Sequence, residues 1–97
     1  MSLDPVVRPV HYSGTATTTP AKITLSNIQG NGAKGFRILI RNVEASPGNA
    51  LEISFNTGRT FFPIPASTQI DIPASFHYFY LRSVGGDADY NALVLQG

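Results

Sequence analysis

Residues 36–43 read FRILIRNV, and this stretch decides the fold class. Phe36, Ile38 and Ile40 alternate with Arg37, Leu39 and Arg41, so one face of an extended chain is apolar while the other carries two guanidinium groups. Successive side chains of a pleated strand point to opposite sides, so a period of two marks a strand with one face on a core. Downstream, Leu51, Ile53 and Phe55 alternate with Glu52, Ser54 and Asn56. Upstream, Ile23 and Leu25 alternate with Thr24 and Ser26. Each pattern predicts a further strand. The segment QGNGAKG, 29–35, accepts left-handed backbone angles and reads as a hairpin loop between two of them.

The rest of the chain is cut short in the same way. Seven prolines and nine glycines leave no room for a long helix. Ser46, Pro47 and Gly48 form a turn cluster, and Asn56, Thr57 and Gly58 predict a tight hairpin into Arg59–Phe62. Pro63 and Pro65 end that strand, and Ile70 and Ile72 flank Asp71 in a brief strand before Pro73; both pieces belong near an edge. From Phe76 the chain reads FHYFYLRSV, with Phe76, Tyr78, Tyr80 and Arg82 on one face and His77, Phe79, Leu81 and Ser83 on the other. Such a strand is central in a two-layer sandwich or covered by a neighbouring protein. Gly85–Asp89 is a turn, and Tyr90–Gln96 a last strand with Leu93 and Leu95 turned to the core. At the other end, prolines 5 and 9 interrupt Val6, Val7, Val10 and Tyr12, which suits an arm or edge strand over residues 1–12, and residues 13–20 read as a loop or exposed strand. The expected fold is all-β: a single-domain antiparallel β-sandwich or jelly-roll-like barrel of about seven or eight strands, with residues 13–97 as the sandwich.

Composition sets bounds on function. A chain of 97 residues supports one core. Its hydrophobic content of 42% against 13% charged residues is enough to fold. A net charge of +1 gives no electrostatic drive towards nucleic acid or an anionic membrane. Without cysteine there is no disulfide frame or thiolate metal site. No apolar run reaches the roughly 20 residues of a membrane span, and no secretory signal opens the chain, so a soluble protein is expected.

No catalytic set emerges. His11 and His77 are the ordinary bases, and neither lies in a nucleophile motif. Asp87 and Asp89 in GGDAD lack the remaining oxygen ligands of a calcium loop. Gly30, Gly32 and Gly35 match the spacing of a dinucleotide loop, but the adjoining FRILIRNV has strand periodicity where phosphate capture needs a helix N-terminus. The expectation is a non-enzyme without metal or cofactor. Tyr12, Tyr78, Tyr80 and Tyr90 are candidates for a sugar platform, while arginine with tyrosine is the composition of protein–protein hot spots. The expected interface comprises Val6, Val7, Arg8, Val10, His11, Tyr12, Arg37, Arg41, Tyr78, Tyr80 and Arg82.

The run LEISFNTGRTFFPIP (51–65), followed by IDIP (70–73), FHYFYLRS (76–83), GGDAD (85–89) and YNALVLQG (90–97), resembles small virion proteins of tailed bacteriophages over about half the chain. The resemblance lies in a strand ending in an SF-x-x-G hairpin, then F-x-x-I-P, F-Y-L-x-S and a terminal strand. It implies a non-enzymatic head decoration or cement protein, or a neck, tail or fibre component. Its partners would be capsid or tail subunits and copies of itself, a trimer being one such assembly, and it would be soluble in the host cytoplasm before incorporation into the virion. The alternative is a carbohydrate- or receptor-binding module of an adhesin or tail fibre.

Overall fold

The computed structural model describes residues 8–26, 32–43, 49–55 and 60–97. Within them run eight strands: β1 (Arg8–Ala16), β2 (Ala21–Thr24), β3 (Gly35–Asn42), β4 (Ala50–Ser54), β5 (Phe62–Ile64), β6 (Gln69–Phe76), β7 (Tyr78–Val84) and β8 (Ala88–Gln96). No helix is present among the described residues, and so none long and apolar enough to cross a membrane.

Pairing is antiparallel throughout and nested: β4 with β5, β3 with β6, β2 with β7, β1 with β8. The chain is thus one long hairpin with its tip between β4 and β5. Rolling that hairpin up brings β3 beside β8 and β4 beside β7, which completes two four-stranded sheets, β1-β8-β3-β6 and β2-β7-β4-β5. This order is that of an eight-stranded jelly roll. The core lies between the sheets, built from Ile38, Ile40 and Val94 on one side and Leu51, Ile53, Phe79 and Leu81 on the other, all at most 1% exposed.

The rolled topology corrects one turn assignment. β2 and β3 lie in different sheets and do not pair with each other; among the described residues between them, local pairing comprises the Ser26–Gly32 bridge and the bond from the Ala33 N–H to the Leu25 carbonyl. The Ser46–Gly48 and Asn56–Gly58 turns lie outside the described residues, although β4 and β5 do pair as the second of them requires. Phe76–Ser83 is likewise two elements: Phe76 ends β6 in one sheet, His77 makes the corner, and β7 begins in the other. β6 runs through Pro73 to Phe76, as an edge strand permits, since its outer N–H positions need no partner.

Local registers place several side chains differently from simple alternation. Gly35 and Arg37 face Gln96 and Leu95 across β8, so Phe36 is an extra residue in a bulge and sits 37% exposed instead of in the core. Gly35 takes the inward position because a Cβ there would come within 2.7 Å of the Phe76 ring. On β8 the inward residues are Ala88, Ala92, Val94 and Gln96, leaving Leu93 and Leu95 half-buried on the outer face. Phe55 is half-buried, its ring 5.1 Å from that of Phe76.

Two buried carboxamides tie the layers. Asn42, fully buried at the end of β3, donates from Nδ2 to the carbonyls of Asn49 (3.1 Å) and Ile64 (3.0 Å), which belong to the opposite sheet's strands and their approach. Gln96 accepts from the Tyr12 hydroxyl at 2.6 Å and donates to the Ser26 carbonyl at 2.8 Å.

Candidate interaction surfaces

β7 is flanked by β2 and β4, and its alternation turns Phe79, Leu81 and Ser83 inward and Tyr78, Tyr80 and Arg82 outward. The register sets Thr24 opposite Tyr78, Lys22 opposite Tyr80 and Glu52 opposite Arg82. The Lys22 ammonium sits 4.4 Å from the centre of the Tyr78 ring, and Tyr78 and Tyr80 meet edge to face at 5.8 Å. Arg82 donates from Nε to Glu52 at 2.7 Å while its guanidinium lies 3.8 Å over the Phe61 ring. Both cations are therefore held against ring faces, where the aromatic quadrupole attracts them. Side chains ordered in this way lose less freedom on docking, and among the described residues the Nη groups of Arg82 have no hydrogen-bond partner. Phe62 on edge strand β5 stands opposite the inward Ile53 and is 61% exposed because the sheet ends there, so it does not belong to this outer face.

The outer face of the other sheet is built differently. Arg37 grips Asp71 through two parallel hydrogen bonds of 2.7 and 2.9 Å across β3 and β6. Those bonds hold the Asp71 carboxyl below its ordinary range and raise the Arg37 guanidinium. Arg41, on the same strand, has no ion-pair or hydrogen-bond partner among the described residues.

The eleven residues expected at an interface do not share one surface. Val6 and Val7 lie outside the described residues. Arg8, Val10, His11 and Tyr12 belong to β1, an edge strand paired along its whole length with β8. Within it Tyr12 turns inward, its ring edge-on to Phe79 at 6.4 Å, so it serves the core and not a free arm. Val10, opposite the buried Val94, shares that inward parity and is half-buried. His11, Arg37 and Arg41 lie on the outer face of β1-β8-β3-β6, while Tyr78, Tyr80 and Arg82 lie on the outer face of β2-β7-β4-β5. The sheet that each strand joins thus divides the set between two opposite sides of the molecule. The sequence pattern did not reveal Lys22 and Glu52 as members of the β7 face, because their contact with β7 depends on cross-strand register, for which the alternation of β2 and β4 was the available signal; Phe61 reaches Arg82 from the chain just before β5.

His11 is exposed on β1, and His77 is exposed at the β6–β7 corner with Nδ1 3.2 Å from the Ala33 carbonyl. Among the described residues no three His, Cys, Asp or Glu side chains group as a metal site. The chain matches no protein-family model and no curated protein.

Proposed function

We propose that this protein is a non-enzymatic structural component of a virus particle, a phage head decoration or cement protein that docks on capsid subunits. The observation that carries the reading is the outer face of β2-β7-β4-β5, where Tyr78, Tyr80, Arg82, Lys22 and Phe61 are held by ring–ring and cation–ring contacts. Tyrosine and arginine anchors dominate the energetics of protein interfaces. A jelly roll is a scaffold that viral capsid domains use, which supports the reading by analogy of fold. Many copies, each bound through a modest face, add up to firm attachment by multivalency. Copies associate with one another as well, and a trimer suits three-fold positions on a shell.

The sugar-platform alternative draws less support from the same face. A pyranose stacks flat on an open ring, whereas one face of Tyr78 carries the Lys22 ammonium and the Tyr80 ring stands at 90° to it. Density-gradient sedimentation of particles from the source culture, probed with an antibody to this chain, tests the proposal. The protein is expected to band with the particles at constant stoichiometry. Finding it only at the top of the gradient would refute a virion role.

A further inference from the structure

We propose that the outer face of β1-β8-β3-β6 holds a binding site for a carboxylate-bearing sugar residue, independent of the docking face on the opposite sheet. The site is a depression of about 210 Å³ lined by His11, Leu39, Arg41, Gln69, Asn91 and Leu93, with Ala92 beneath. That is below the roughly 300–1,000 Å³ of pockets for drug-sized ligands and suits a single ring.

Register explains how four strands build it. Arg41 on β3 stands directly between Asn91 on β8 and Gln69 on β6, one polar row across three neighbouring strands. The adjacent row places Leu39 beside Leu93, with His11 opposite Leu93 on β1. Strands lie about 4.8 Å apart, so the polar row spans roughly 10 Å, the reach of one sugar with its substituents. The two leucines are half-buried and offer an apolar floor to the C–H face of such a ring.

The polar groups are chemically matched to this ligand and uncommitted. Arg37 on β3 is engaged by Asp71 in a bidentate pair, whereas Arg41, Gln69, Asn91 and His11 have no side-chain partner among the described residues. A free guanidinium fork binds carboxylate in a bidentate, charge-assisted manner. The carboxamides on either side of it each supply two donors and an acceptor for neighbouring hydroxyls. A carboxylate flanked by hydroxyls above an apolar ring face is the chemistry of an acidic sugar.

The test is a titration of the ¹⁵N-labelled full chain, followed by NMR, with sodium glucuronate, N-acetylneuraminate, methyl glucoside and acetate. At least one acidic sugar is expected to give saturable shifts at Leu39, Arg41 and Leu93 with a Kd of roughly 1 mM or below. Arg41→Gln is expected to weaken binding about tenfold or more while the spectrum stays dispersed. The proposal is overturned if neither acidic sugar saturates, if methyl glucoside or acetate binds as well, or if Arg41→Gln binds like the parent. Loss of the virion reading would leave these outcomes untouched, because they concern the opposite face.

Discussion

Replacing Asn42 with alanine tests whether the two layers are joined by its side chain. The substitution removes the Nδ2 donations to the carbonyls of Asn49 and Ile64, the latter at a fully buried residue. A buried acceptor left without a partner costs about 1–3 kcal/mol, and the vacated volume adds to it. Asn49 is only partly buried, so its carbonyl recovers some hydration and counts at the low end. The sum is about 3 kcal/mol, a large share of the roughly 5–15 kcal/mol that holds a domain together. At about 4–8 °C per kcal/mol for a domain of this size, the melting temperature should fall by roughly 12–24 °C. Urea unfolding followed by circular dichroism gives the free energy directly, with an unchanged slope indicating that the unfolded state is not altered. A loss under about 0.5 kcal/mol, the size of an ordinary surface substitution, would refute the claim that Asn42 joins the sheets.

Gly35→Ala should destabilise by about 1–3 kcal/mol in the same assay, because its Cβ would lie 2.7 Å from Phe76 and 2.9 Å from Leu25, both buried; an unchanged midpoint would mean that the bulge relaxes freely. Ser83→Ala should match the parent or gain up to about 1 kcal/mol, since the Ser83 hydroxyl is buried with no partner among the described residues; a clear loss would reveal one. The Asp71 carboxyl, read by ¹³C NMR, should titrate below its ordinary value and move back up in Arg37→Gln. A depressed folded pKa contributes stability above the unfolded value of 3.8 and loses it as pH falls through the folded one, so the variant should lose less stability on acidification, and an unmoved titration would contradict the pairing.

The sheet architecture was legible wherever alternation was clean. Ile38 with Ile40, Leu51 with Ile53 and Phe79 with Leu81 face the core as their spacing implies. Alternation does not encode the partner strand. The glycine-rich 29–35 segment reads the same whether or not the strands on either side of it pair with each other, and the nested pairing decides that they do not. β8 has apolar residues at both parities, so Leu93 and Leu95 competed with Ala92 and Val94 for the core. Gln96 occupies the inward parity and meets Tyr12 and Ser26 there, and no hydrophobicity pattern could signal a buried carboxamide. Phe36 was misplaced for a related reason: a single extra residue against β8 moves a side chain to the other face. The outward residues of β7 were readable as candidates, but the cations Lys22 and Arg82 find their rings only through cross-strand neighbours and the chain leading into β5.

Hydroxyl-radical footprinting of the free protein and of the protein on purified particles tests the docking face most directly. Bound chains should show strong protection of Tyr78, Tyr80 and Phe61, with Leu39 and Leu93 on the opposite sheet reacting as in the free protein. Equal reactivity of the two tyrosines in both states, or protection confined to Leu39 and Leu93, would contradict the assignment of the β2-β7-β4-β5 face to assembly.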